Sequence, residues 1–182
     1  MKLILVRHGE TDSNLNRILQ GRDGTHINQK GKEQALEVGK KLKEKYGKID
    51  MVFCSPLNRC VETLDCILME HPIDGQILMS KLLEERDFGE YEGVESYMID
   101  WNILNSDSKE NKEMGVESLG SLQKRAELFL EDLKLENENF TILVISHDGP
   151  IKMMVSKLTG KSFDEIKVDN GEIIEFDYLA NS

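Results

Sequence analysis

The sequence is short of cysteine, of basic charge and of long apolar runs, and each shortage removes a class of protein. Cys54, Cys60 and Cys66 are odd in number and lack CxxC spacing, so neither a disulfide framework nor a zinc site is expected. They read instead as reduced thiols packed in the core of a cytoplasmic protein. Lys and Arg total 23 against 34 Asp and Glu, a net charge of −11. Binding a phosphate backbone needs a basic face, so nucleic acid is not an expected partner. No apolar run reaches membrane-spanning length, and Met1-Lys2-Leu3 leads into a strand-like run without a separate signal-peptide core, so no membrane partner is expected either.

What is present is an alternation of strands and helices. Residues 3–6 form an apolar run short enough for one buried strand, and the run stops at Arg7-His8-Gly9. Residues 49–54 repeat the pattern and lead into Ser55-Pro56-Leu57-Asn58-Arg59, opening a helix over 57–69. Residues 140–145 repeat it again, ahead of Ser146-His147-Asp148-Gly149-Pro150 and a short helix over 151–158 that ends near Gly160. Amphipathic spacing predicts further helices over 29–46 and over 118–135, the latter with Ser118 as N-cap. Residues 172–178 read as a last strand, placed at an edge by its charges. The polar stretch 105–113 reads as a solvated loop. His26 and His71 read as surface histidines. Gly160-Lys161-Ser162 resembles the end of a phosphate loop, but Val155 stands where its first glycine belongs.

With 182 residues, the chain fits one domain, 1–182, with an insertion at about 76–115 that carries Tyr91, Tyr97 and Trp101. The expected fold is a three-layer α/β/α sandwich on a mainly parallel sheet, with an antiparallel edge strand near the C-terminus and the insertion as a small helical cap. The aromatics of the insertion either pack that cap or meet a ligand. Ligands bind outside the carboxyl ends of strands in such sheets, so Arg7 and His8 are well placed to meet an anion. An Arg-His pair there is also compatible with plain surface charge. Gly9 allows a sharp turn or close approach to a ligand.

The blocks Arg7-His8-Gly9-Glu10-Thr11, Ser55-Pro56-Leu57-Asn58-Arg59 with Glu62-Thr63, Leu83-Glu84-Glu85-Arg86 with Phe88-Gly89, and Ser146-His147 occur in that order along almost the whole chain. In them the sequence resembles the histidine phosphatase superfamily, which includes cofactor-dependent phosphoglycerate mutases and many small phosphatases. The resemblance implies a phosphomonoesterase acting on a small phosphorylated molecule through a phosphohistidine on His8. It implies that Arg7, Arg59 and His147 surround the phosphoryl group, and that Glu85 protonates the leaving alcohol, with neighbouring Glu84 the rival for that role. Acidic neighbours such as Glu84 and Glu90 would help raise the acid's pKa, and the two arginines would keep His8 neutral. Asn14 matches a phosphate-contacting asparagine, although a turn asparagine reads equally well there. Gly21 matches a substrate-loop glycine, and Arg22 beside it either touches a substrate carboxylate or lies in solvent.

One position departs from the family pattern. Asp148 follows His147 where many members have glycine. Its N–H can still meet phosphate if its carboxylate turns away to cap a helix starting at Pro150. Two arginines and two histidines already supply charge, so no metal and no cofactor are expected. Two alternatives stand beside hydrolysis: mutase-type transfer to an organic acceptor, and noncatalytic binding of a phosphorylated ligand. Residues 90–115 offer only Lys109 and Lys112 as cations to hold a bisphosphate, which favours hydrolysis over the mutase.

Overall fold

The structure, a computed structural model, describes residues 1–133 and 139–178. Five strands, β1 Lys2–Arg7, β2 Met51–Cys54, β3 Gln76–Met79, β4 Thr141–Ser146 and β5 Ile173–Asp177, form one sheet in the order β3-β2-β4-β1-β5. The first four run parallel, and β5 lies antiparallel to β1 at one edge. Residues 3–6 and 142–145 are fully buried, as continuous apolar strands covered on both faces must be.

The helices are α1 Asp12–Leu15, α2 Gln29–Tyr46, α3 Asn58–Glu70, α4 Trp101–Leu104, α5 Lys109–Glu113, α6 Leu119–Leu133 and α7 Asp148–Thr159. On one face α2 and α3 bury Val38, Leu42, Leu64 and Ile67 against Ile4, Val6, Val52 and Ile145. On the other, α6 and α7 bury Leu122, Phe129, Ile151 and Met154 against Leu3, Leu5, Ile142 and Val144. The result is the three-layer sandwich expected from the sequence. No helix among the described residues is long and apolar enough to cross a membrane.

Several boundaries differ from the sequence reading. The helix expected over 118–135 is α6; Ser118 Oγ accepts from Ser121 N at 3.1 Å as its cap, and residues 134 and 135 lie outside the described residues. α7 begins three residues earlier than expected, with His147 as N-cap, so Asp148 is its first residue and not a cap. Pro150 then falls in the first turn, where its missing N–H costs nothing. β3 was not expected: it pairs with β2 and belongs to the sheet, so the insertion starts after Met79 and not at Gln76.

The stretch 105–113 is not all loop either. It contains α5, capped by Ser108, and the buried Asn111 amide donates to the carbonyls of Ile103, Leu104 and Ser106. Phe88, Ile99, Leu104 and Val116 form a small core of their own in this region. His71 is buried and not at the surface, whereas His26 is exposed and paired with Glu62. Cys54 and Cys60 are buried, Cys66 is half-buried, and all three are free thiols.

Candidate active site

Strand register brings the site together. Arg7 pairs with Ser146 across β1 and β4, so His8 and His147 leave the sheet side by side. His8 N donates to Ser146 O at 3.0 Å, and the two ring centroids lie 5.2 Å apart. β2 flanks β4 on its other side and delivers Ser55 and the first turn of α3 to the same edge. There Arg59 Nε donates to His147 Nδ1 at 3.1 Å. Arg7, His8, Arg59 and His147 therefore form one cluster at the carboxyl ends of the strands.

The loop that carries His8 is tightly held. A Cβ on Gly9 would lie 2.4 Å from Gly31 O, so the close approach that Gly9 allows is to α2 and not to a ligand. Gly9 N donates to Thr63 Oγ1 at 3.0 Å, and Asn170 Nδ2 donates to His8 O at 3.0 Å. His8 Nδ1 lies 2.8 Å from Gly9 O; a carbonyl only accepts, so Nδ1 carries the proton and Nε2 keeps its lone pair. Burial holds the His8 pKa well below 6.5, and the Arg59 and Arg7 charges push it further the same way. The sequence reading named only the arginines; burial is the larger cause.

His147 differs from its expected placement. Its Nδ1 accepts from Arg59, and its Nε2–H donates to Ser55 Oγ at 2.7 Å, so both ring nitrogens are engaged within the protein. The ring is fully buried and stands behind the cavity wall. Arg59 is also largely engaged, donating to Gly21 O at 2.6 Å, Asp23 O at 3.0 Å and Thr25 Oγ1 at 3.3 Å. Gly21 serves here as an acceptor for Arg59. Its φ of +55° and the Glu92 carboxylate packed where a Cβ would stand both require glycine. Arg7 Nη1 donates to Val168 O, while its buried Nε has no protein partner among the described residues.

Glu85 lines the cavity, and Glu84 does not. Glu85 Oε1 accepts from Arg86 N at 2.8 Å and from Gly149 N at 3.1 Å. Burial raises its pKa above the usual 4.5, and the Asp148 carboxylate raises it further; neither Glu84 nor Glu90 is the cause. Glu84 instead pairs with Arg22 at 3.5 Å, and Arg22 also reaches Asp87 and Glu117. Arg22 is therefore exposed to solvent, as one of its two readings had it, while tying its loop to these carboxylates, and it does not line the cavity. Asn14 is a turn asparagine, its Oδ1 accepting from Thr11 N at 3.1 Å in a capping box, and the residue also lines the cavity. Asp148 also lines the cavity and lies between Arg7 at 3.4 Å and Lys152 at 2.9 Å.

These groups share a cavity of about 450 Å³. Trp101 and Asn105 of the insertion form part of its wall, whereas Tyr91 packs in the insertion's core and Tyr97 is exposed. The sequence reading missed Lys152, Ser55 and Arg17. Lys152 had a signal, since it stands four residues after Asp148 on one helix face. Ser55 lies in a quoted motif, but only the folded structure shows it beneath His147. Among the described residues, no three His, Cys, Asp or Glu side chains cluster as a metal-holding set.

Comparison with known proteins gives a consistent result. The model of the histidine phosphatase superfamily (branch 1) matches residues 3–182. A protein of Schizosaccharomyces pombe named probable phosphatase is 31% identical over 97% of this chain and 83% of its own length. A broad-specificity phosphatase of Saccharomyces cerevisiae is 28% identical, covering all of this chain and 81% of its own. Among solved structures, the phosphoserine phosphatase of Entamoeba histolytica in complex with 3-phosphoglyceric acid superposes with a TM-score of 0.78 at 29% identity, covering 96% of this chain and 89% of that one.

Proposed function

The chain belongs to the histidine phosphatase superfamily, and on that premise we propose that it hydrolyses small phosphomonoesters through a phosphohistidine on His8. The observation that carries this reading is a single cavity lined by a neutral His8 with a free Nε2, by Arg7 with an unpartnered buried donor, and by Glu85 with a raised pKa. An orphaned guanidinium N–H beside a nucleophile suits a bound oxyanion.

In the first half-reaction His8 Nε2 attacks phosphorus, the P–O ester bond breaks, and Glu85 gives its proton to the departing alkoxide. Glu85 Oε1 accepts the two shorter backbone N–H bonds and Oε2 only a 3.4 Å share of the Gly149 N–H, so Oε2 carries that proton. In the second half-reaction the Glu85 carboxylate takes a proton from water. The water oxygen attacks phosphorus, the P–N bond breaks, and orthophosphate leaves with His8 neutral again. Arg7 and Arg59 neutralise the phosphoryl oxygens, and Asn14, Gly21 and the first-turn N–H of Asp148 complete the cradle. His147 orients the Arg59 guanidinium from behind, with its tautomer fixed by Ser55.

In this reading the chain works as one unit, with 80–115 as a cap over the site. The three free thiols and the acidic surface suit a cytoplasmic setting. Lys109 and Lys112 pair with Glu113 and Asp107 and line no part of the cavity, so mutase-type capture of a bisphosphate finds no cation there.

Rapid mixing with ³²P-labelled aryl phosphate tests the proposal. A phosphoenzyme stable in alkali and lost in acid is the expected intermediate, and His8→Ala should abolish both it and phosphate release without unfolding the protein. Label on Ser55 or Ser146 would reassign the nucleophile. Binding of phosphorylated ligands without any phosphate release would leave the noncatalytic reading.

A further inference from the structure

Arg17 lies outside the mechanism above and is anomalous in two independent ways. It is the one non-glycine residue with positive φ, +57°, among the described residues. A side chain in this left-handed region costs stability that glycine would not. The conformation is that of a helix end: Ile18 N donates to Ser13 O at 2.8 Å and Arg17 N to Asn14 O at 3.1 Å, which closes α1 with arginine in the left-handed position that glycine usually takes, and Ser96 N donates to Arg17 O at 2.7 Å. The last of these bonds ties the turn after α1 to the insertion.

The second anomaly is electrostatic. Arg17 lines the same cavity as His8, and its guanidinium has no hydrogen bond or ion pair among the described residues. The other cations of that wall are engaged. Lys152 pairs with Asp148 at 2.9 Å, and Arg86 donates to Glu117 O, Asn105 Oδ1 and Leu104 O. Arg7 and Arg59 stand at His8 for the phosphoryl group. Arg17 is exposed on the cavity wall, so its guanidinium fork is open to a ligand that enters there.

We propose that Arg17 binds a second oxyanion of the substrate, a carboxylate or a second phosphoryl group, so that the site selects phosphomonoesters carrying an additional anionic group. The inference rests on the hydrolytic reading above for its reaction but not for its binding. A planar guanidinium fork takes either oxyanion through paired N–H bonds. In a chain of net charge −11, a dianionic or trianionic substrate needs such a dedicated cation to be held. Trp101, in the same wall, offers a face for the organic part between the two anions.

Matched substrate pairs test the assignment. Glycerol 3-phosphate and 3-phosphoglycerate differ by a hydroxymethyl group against a carboxylate; fructose 6-phosphate and fructose 1,6-bisphosphate differ by a second phosphoryl group. Wild type should favour the charged member of at least one pair by about 10–100-fold in kcat/KM, the scale of a charged hydrogen-bonded contact. The responding pair identifies the oxyanion. Arg17→Gly should erase the preference and Arg17→Lys should keep part of it. Arg17→Gly should also melt about 2–4 °C higher, since it relieves the left-handed strain.

Equal preference in wild type and Arg17→Gly would overturn the proposal. So would a lower melting temperature with equal losses on both members of each pair. Calorimetric binding to His8→Ala, with and without Arg17→Gly, separates the two proposals. Arg17-dependent affinity for the charged member, with no turnover in wild type, would keep the subsite and remove the hydrolytic reading. Turnover without charge preference would do the reverse.

Discussion

Glu84 and Glu85 are chemically alike and adjacent, yet the fold gives them different tasks. The Arg22 guanidinium draws Glu84 away from the cavity, whereas Glu85 is buried in its wall between Arg86 N and Gly149 N. Glu85→Gln should therefore cost about 10²–10⁴ in rate on alkyl phosphates and much less on aryl phosphates, whose leaving groups need little protonation. Glu84→Gln should change that ratio little. Equal losses of Glu85→Gln on both substrate types would assign Glu85 to binding. The same pair of ionisations shapes the pH profile. The lowered pKa of His8 places the acid limb of kcat/KM below the ordinary histidine range, and the raised pKa of Glu85 sets the basic limb above the ordinary carboxylate range. Removing the Glu85 carboxyl should flatten the basic limb alone. In the sequence, only the family resemblance of the block Leu83-Glu84-Glu85-Arg86 distinguishes the two glutamates, because composition is the same on either side of the peptide bond. Burial and Arg22 separate them, and both depend on long-range contacts.

At the scale of elements, the His8 loop is seated by a contact between two glycines. A Cβ on Gly31 would lie 2.2 Å from Glu10 O, and one on Gly9 would lie 2.4 Å from Gly31 O, so the loop after β1 rests directly on α2. Gly31→Ala should cost about 1–3 kcal/mol by overpacking against backbone. It should also lower kcat, because the backbone that must yield carries His8. Gly47→Ala is the control: nothing lies near its Cβ, but its φ is +65°, so it should lose about 1 kcal/mol and no activity. Thermal melts and aryl phosphate turnover of the two variants check this; similar kinetics in both would remove the link between seating and catalysis. β1 and β4, with their continuous apolar cores, and α2, with its apolar stripe, are readable because burial on both faces or along one helix stripe leaves a clear pattern. β3 is not, since Gln76–Met79 is four residues long, mostly exposed at an edge and paired on one side only. α5 was missed because Lys109–Glu113 is almost entirely polar; its anchor is the single buried amide of Asn111, and only tertiary packing reveals that.

For the whole molecule, the site that was partly legible as four sequence blocks becomes a liability for stability at low pH. His8 and His147 are buried as neutral rings with pKa values well below 6.5. Below that value the unfolded chain binds protons on both rings that the native protein refuses, so the unfolding free energy falls as pH drops. Each ring contributes a slope of about 1.4 kcal/mol per pH unit where native and unfolded states differ by a full proton. Buried His71, its pKa also lowered, acts in the same direction. Glu85 acts oppositely: its raised pKa means that the native state takes up a proton before the unfolded chain does, between the raised value and 4.5. In that overlap its gain offsets the loss from about one histidine, and the other dominates. Urea unfolding at about pH 7, 6 and 5 should therefore show stability declining on the acid side of 6.5, the usual histidine value. Glu85→Gln removes the offset and should steepen the decline, whereas His8→Asn should make it shallower. A flat profile in wild type over that range would mean that the two rings accept protons in place, and the neutral nucleophile would have to be abandoned with them.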